Sequence, residues 1–440
     1  MVLNKYIILY ISLFNIIISL KLNVNKKIFK VNQLLKFDSL NYKFLSNQTL
    51  LRSLIKSPIQ QSELSLPLIN INIGEPNQEF SLVLDSGSSH MWVYDSNCNS
   101  CKAKNKFIIS DSKSFMRLKE NIKINFISGN IKGNLCKDTL YFSQDVNISS
   151  FYFLLVNEGN IDFYIDGILG LSKGSFNNKY SFLNQLKTRK IIKNNLLLYD
   201  LFNKSLYIGE IPNNYMEQKS ISCKDIKNKY NFWKCEVNLI KIDNVPFRME
   251  NEVVFDSGTN GITFPLKYKE YFKIIIKNNK VLNKSECELI YFDKEGIYQI
   301  FCNKDLEFNN TEIFLKFFFD KEENNSVDLK LSDLLNEDNK SFYLYILERK
   351  NQILLGYPFF EKYPILFDID KNTINIFGAG NNLYKYNRDY DYKIGKQEII
   401  IIVIICILMI LILARIQCYY RKNKNYKKIE FLTEEIKNII

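Results

Sequence analysis

The sequence predicts an all-β body of two related lobes with a cleft between them, followed by a single membrane-spanning helix. Three observations predict it. A short apolar strand running into Asp-Ser-Gly-Ser/Thr occurs twice, at 80–89 and at 253–259. Each copy is echoed later by two apolar residues and a glycine, at 168–170 and 354–356. Near the C-terminus, positions 399–414 are unbroken apolar residues that lead into a basic block.

The length of 440 residues suits two or three units of ordinary domain size rather than one. Aromatic residues are plentiful and Gly and Pro are few, which argues against disorder over most of the chain. A formal charge of +12 would suit a nucleic-acid or membrane-surface binder if the body carried it. The ends carry it instead. Residues 1–60 hold +8 and residues 415–440 hold +4, so 61–414 is neutral and gives no support to DNA or RNA binding.

Both ends read as membrane signals. After Lys5, positions 6–20 are apolar apart from Ser12, Asn15 and Ser19, the length of a secretory core and short for a spanning helix. A signal peptide over 1–20 is predicted, with an uncleaved signal anchor as the alternative because no small-residue cleavage site follows. The run 399–414 can extend to 420, with Arg415 snorkelling and Tyr419 and Tyr420 at the interface. The basic tail 421–440 stays cytosolic by the positive-inside rule. The expected topology is type I in a secretory-pathway membrane, with the body luminal or extracellular.

Nine cysteines agree with an oxidising compartment. Cys406 falls in the span and Cys418 beside it. Close spacing suggests the pairs Cys98–Cys101, Cys223–Cys235 and Cys287–Cys302, leaving Cys136 as a lone buried thiol. A zinc site at Cys98 and Cys101 would need a second ligand pair, and the one histidine of the chain is His90. No metal or cofactor is expected. Six N-x-S/T sequons in the body (Asn147, Asn203, Asn283, Asn309, Asn324, Asn339) suit a glycoprotein, although so Asn-rich a chain makes several by chance.

The repeat carries the chemistry. An Asp at a strand end, followed by Ser and Gly, sits on a tight turn that aims its carboxylate outward. Two such turns meeting across a pseudo-two-fold axis place Asp85 and Asp256 close together. Like charges that near cannot both ionise, so one keeps a proton. The ionised partner can take a proton from a bound water while the protonated partner polarises a peptide carbonyl. Ser88 and Thr259 are placed to bond the outer carboxylate oxygens. Ser86 and Ser257 can bond across the axis and lock the turns, which Gly87 and Gly258 let close.

With these residues in view, the chain resembles a pepsin-family aspartic protease over roughly 62–380. The resemblance rests on the strand at 66–76, the Asp85 motif running to Trp92, the small loop at Cys98 and Cys101, and the apolar Gly strands at 166–171 and 353–360. The segment 124–133 resembles the family's flap, which implies that Trp92, Phe126, Ile127, Ser128 and Gly129 line the cleft and that 122–135 closes over a bound peptide. Composition and the C-terminal anchor resemble the plasmepsin-like enzymes of apicomplexan parasites. The departures are Phe126 in place of the family's usual flap Tyr, Ile127 in place of a flap Gly, His90 in place of Asn, and Tyr357 in place of Asp.

The resemblance implies a monomeric aspartic endopeptidase acting on polypeptides. It divides the chain into a signal peptide (1–20), a basic prosegment (21–60), a first lobe with flap (61–215), a second lobe (216–385), a juxtamembrane linker (386–398), the span (399–420) and the tail. Lys30, Lys36 or Lys43 could reach the paired Asp residues in a zymogen; a solvated linker is the alternative for that segment. The rival reading is a pepsin-like pseudoprotease that binds peptide without turnover, supported by Phe126 and Ile127. A surface glycoprotein with incidental Asp-Ser-Gly turns is a third.

Overall fold

The computed structural model describes residues 55–61 and 66–378, except 127–128, 144–145, 162–163, 175–179, 227–230, 244, 248–250, 294–295, 309–311, 321, 323–324, 337 and 349–350. The expected signal peptide, most of the leader, the linker, the span 399–420 and the tail therefore lie outside the described residues. Among the described residues no helix is long and apolar enough to cross a membrane.

The described chain is mostly β, arranged in four sheets with short helices between strands. Residues 60–170 supply an eight-stranded sheet. Its strand Pro67–Ile73 shows why the sequence folds this way: Ile69, Ile71 and Ile73 are buried while Asn70 is exposed, the period of two that turns one face inward. Gly167–Gly170 threads between two strands of that sheet. It pairs in parallel with Gln78–Asp85, with Asp85 opposite Gly170, and antiparallel with Met91–Tyr94.

The second half repeats this insertion in a seven-stranded sheet. Ile353–Leu355 lies parallel to Asn251–Phe255, with Phe255 opposite Leu355, and antiparallel to Ile262–Pro265. Both threading strands run into a glycine because neighbouring backbone leaves no room for more. A Cβ on Gly170 would lie 2.6 Å from the His90 nitrogen, and one on Gly356 would lie 2.2 Å from the Gly261 oxygen. A four-stranded sheet completes this half.

A six-stranded sheet draws strands from both halves, in the order Ile55–Pro58, Ser205–Ile208, Leu196–Asp200, Ile365–Asp368, Thr373–Phe377, Ser220–Lys224. Two hairpins here are equivalents. One closes on the pair Asp200 and Ser205, the other on Asp368 and Thr373. In each the leading Asp caps the turn, accepting a 2.9 Å bond from the backbone N–H three residues on, at Asn203 and at Lys371. Tyr199 and Phe367 are thereby two-fold mates.

Ile55–Pro58, which the sequence reading put in the leader, is an edge strand of this sheet. Its Ile-Lys-Ser-Pro run has no apolar alternation to mark it as a strand, and its main chain pairs with Ser205–Ile208.

All three cysteine pairs are joined. Cys223–Cys235 ties Ser220–Lys224 of the six-stranded sheet to Lys234–Val237 of the seven-stranded one. Cys136 is a free buried thiol, pushed up to about 12 chiefly by burial. Asp166 fixes the loop after Cys101: its carboxylate accepts from the backbone N–H groups of Ser81, Lys104 and Asn105 and from the Asn105 side chain. A buried carboxylate so fully bonded holds its surroundings rigidly. The two halves are also stitched by Trp233, whose indole N–H donates to the Leu171 carbonyl at 3.1 Å, and by the ion pair of Lys173 with buried Asp225.

Candidate active site

Asp85 ends the strand Gln78–Asp85, and Asp256 follows the strand Asn251–Phe255. In each case the chain then turns so that the next Gly donates its N–H back to the Asp. The Gly87 N–H reaches Asp85 Oδ1 at 2.8 Å and the Gly258 N–H reaches Asp256 Oδ1 at 3.1 Å. The turns face each other at contact distance. A Cβ added to Gly87 would lie 2.5 Å from Asp256 Oδ1, and one added to Gly258 would lie 2.6 Å from Asp85 Oδ1. Neither glycine has a positive φ, so each is there for room and not for an unusual torsion.

Ser86 and Ser257 cross the axis as the sequence suggests. The Ser86 N–H donates to Ser257 Oγ at 3.0 Å and the Ser257 N–H donates to Ser86 Oγ at 2.9 Å. Each hydroxyl then donates to a carbonyl of the opposite half, Ser86 to Phe255 at 2.9 Å and Ser257 to Leu84 at 2.7 Å. Four bonds thus join two turns, and both serines are completely buried.

The outer hydroxyls differ. Thr259 Oγ1 donates to Asp256 Oδ2 at 2.8 Å. The Ser88 hydroxyl, expected to do the same for Asp85, is buried without a hydrogen-bond partner among the described residues. It lies close enough to Asp85 to favour its ionisation. The β-branch of Thr259 restricts its rotamer, and Ser88 lacks that restraint.

Electrostatics separates Asp85 from an ordinary carboxyl. Asp85 is 6 % exposed. Burial first, and the charge of Asp256 second, raise its pKa well above the usual carboxylate range, against the lowering effects of Ser88 and the Gly87 N–H. A carboxyl pair that strongly interacts loses its protons as a pair, so the pair holds one proton over a wide pH range.

The segment expected to be a flap is a long hairpin, Met116–Phe126 with Gly129–Ser143. Ile122, Ile124 and Phe126 are half-buried, and the residues between them are exposed. Phe126 packs on Trp92 with ring centroids 6.2 Å apart. Gly129 pairs with Phe126; Ile127 and Ser128, between them, lie outside the described residues. Asn160, which no sequence signal marked, clamps the hairpin: its Oδ1 accepts the Asn130 N–H at 2.7 Å, and its own N–H donates to the Asn130 carbonyl.

Beneath the hairpin, the Trp92 indole N–H and the Tyr94 hydroxyl are both buried without partners among the described residues. Burial raises the Tyr94 pKa to about 12, so this hydroxyl stays protonated. Phe126 is the ring that covers Trp92 and carries no acceptor. Phe126→Tyr should therefore raise both stability and peptide turnover, each by about 3- to 10-fold in its equilibrium or rate constant, the range of one net hydrogen bond. Urea unfolding and kcat/KM on one peptide check it; a variant no more stable and no faster than the parent would show that the indole does not need this acceptor.

His90 stands beside the Asp85 turn, with Nδ1 3.3 Å from Ser89 Oγ. Burial lowers its pKa, opposed by Glu120. A cavity of about 510 Å³ lies at the Cys223 disulfide, lined by Lys224, Asp225, Glu236, Asn238, Phe319 and others, and contains neither Asp of the pair. Among the described residues no three His, Cys, Asp or Glu side chains group as a metal site would need.

Comparison with known proteins shows the family of the chain. A model of the eukaryotic aspartyl protease family matches residues 68–378. Among curated proteins the chain is similar to plasmepsin I of Plasmodium falciparum, 28% identical over 340 residues, covering 71% of this chain and 68% of that one. It is similar to plasmepsin IV of the same organism, 27% identical over 339 residues with the same coverage. It is also similar to chymosin of Bos taurus, 28% identical over 223 residues, covering 46% of this chain and 58% of that one.

Proposed function

Because the chain belongs to the eukaryotic aspartyl protease family and is an aspartic-type endopeptidase, we propose that Asp85 and Asp256 are its catalytic pair, hydrolysing peptide bonds with a water held between them. The observation that carries this reading is the mutual contact of the two Asp-Ser-Gly turns, each glycine set against the opposite carboxylate.

The ionised carboxyl takes a proton from the water as its oxygen attacks the scissile carbonyl carbon. The protonated carboxyl gives its proton to the carbonyl oxygen, and a neutral tetrahedral diol forms. On collapse the amide nitrogen leaves with the proton taken from the water. A diol hydroxyl returns the other proton to the pair, and a carboxyl and an amine result. One water is consumed and the pair regains its single proton. The four bonds of Ser86 and Ser257 hold the two carboxyls in register throughout.

The hairpin closes over the peptide, and the apolar faces of Phe126, Ile122 and Ile124 favour substrates with bulky apolar residues near the cut. The run 399–414 anchors the body on the luminal or outer face of a secretory-pathway membrane. Because Ile55–Pro58 belongs to a sheet of the body, any removal of the leader cuts before Ile55.

A second reading, a peptide binder without turnover, draws on Phe126 and the unpaired Trp92 N–H. Cleavage of a peptide library by the detergent-solubilised chain from about pH 3.5 to 9.5 decides between them. Turnover is expected, blocked by a peptide with a tetrahedral hydroxyl in place of the scissile carbonyl. It should fall as pH rises through the raised pKa of Asp85, because the pair then loses the proton it must donate. Tight binding of that mimic with no cleavage at any pH would establish the second reading.

A further inference from the structure

The hairpin Met116–Phe126 with Gly129–Ser143 is gripped near its tip by a residue outside it. The strand Val146–Gly159 runs beside the second arm of the hairpin and pairs with it as far as Ile131 opposite Gly159. Asn160, one step past the end of that strand, adds a further pair by other means. Its backbone N–H donates to the Asn130 carbonyl at 3.1 Å, and its side-chain Oδ1 accepts the Asn130 N–H at 2.7 Å. A side chain thus supplies the acceptor that another strand residue would supply from its main chain. One residue holds both polar groups of the Asn130 backbone.

The grip is close, and its base is packed. A Cβ on Gly129 would lie 2.8 Å from the Asn160 carbonyl oxygen and 2.9 Å from its Oδ1. Gly129 also has a φ of +148°, a torsion that glycine adopts without strain. On either side of Asn160, Gly159 and Ile161 are buried. Ile161 belongs to one cluster with Trp92, Tyr94 and Ile131, and Phe126 packs against that cluster. Across the hairpin, Gly129 is the register partner of Phe126 and Asn130 that of Asn125. Phe126 meets Trp92 by ring packing alone and has no polar side-chain atom to fix it there.

We propose that Asn160 is a positioning residue for the substrate cleft: by holding both main-chain groups of Asn130 it keeps Gly129, and through it Phe126, against Trp92. The ring so placed is the apolar wall that a bulky side chain near the cut meets. This consequence rests on the catalytic reading; the hold on Phe126 does not.

The test compares Asn160→Ala and Asn160→Asp in the full-length chain. Alanine removes the acceptor, whereas aspartate keeps an oxygen in its place. Amide exchange at Ile124 and Phe126, on the strand opposite Asn130, should quicken about 3- to 10-fold in the alanine variant relative to Phe314–Phe318, the range of one net hydrogen bond. Aspartate should restore the parent value. In turnover, KM for a peptide with Phe next to the cut should rise by a similar factor with kcat unchanged, while a peptide with Ala there is unaffected. The rise should vanish in a Phe126→Ala background. Quickening confined to Asn130 overturns the proposal, as does a KM rise that both peptides share or that persists without the Phe126 ring. The exchange comparison needs no activity, so a parent that never cleaves peptide counts against the catalytic reading alone.

Discussion

Asp256→Asn should bind peptide with KM held within about threefold while kcat falls about 10³- to 10⁴-fold, because the variant cannot pass a proton between water and carbonyl. The same substitution should make the protein more stable at neutral pH. The folded pKa of Asp85 lies above its ordinary value, so the stability tied to its proton is full below that ordinary value and is lost as pH rises through the raised one. The charge of Asp256 is the second cause of that rise, after burial. An amide in its place removes the repulsion and part of the loss. Peptide kinetics together with thermal melts at acid and neutral pH check both halves. A variant that is inactive and also less stable at neutral pH would mean that the two carboxyls do not repel one another in the folded protein.

Gly258→Ala should be nearly as damaging for a different reason. Its new Cβ would lie 2.6 Å from Asp85 Oδ1 and 2.8 Å from Asp85 Cγ, well inside contact distance. Forcing a methyl into a packed site costs about 1 to 3 kcal/mol. Moving a reacting carboxylate by a fraction of an ångström should lower kcat by about 100-fold. Since the φ of Gly258 is not positive, alanine has no torsional objection to the position. The loss of stability should thus nearly vanish in an Asp85→Ala background, where the colliding carboxyl is gone. A double-mutant cycle by urea unfolding tests this, and strict additivity would place the fault in the backbone of the turn instead.

The two turns are legible in the sequence because their chemistry is local. Asp, Ser, Gly and a final hydroxyl residue must follow one another, and the apolar strand before them must be continuous. The threading glycines Gly170 and Gly356 are legible for the same reason, since a bare backbone is needed wherever another backbone passes this closely. What escapes is whatever depends on main-chain pairing or on the far side of the fold. Ile55–Pro58 has no apolar face to announce it. Asn160 is one asparagine among many until Asn130 is brought beside it. Tyr199 and Phe367 look like two more core aromatics until matched hairpins align them. Ser88 lies beside Asp85 as its spacing implies, and Thr259, one methyl larger, bonds the Asp256 carboxylate.

The six-stranded sheet has a consequence for how the protein is made. At its centre Leu196–Asp200 lies against Ile365–Asp368, and its two edges come from the very start and the middle of the body. A ribosome delivers the first of these strands long before the last. Until Ile365–Asp368 emerges, Leu196–Asp200 has an open hydrogen-bonding edge. Native pairing so distant along the chain is slow to find. The sheet that draws on both halves is thus completed only after nearly all of the body has been synthesised.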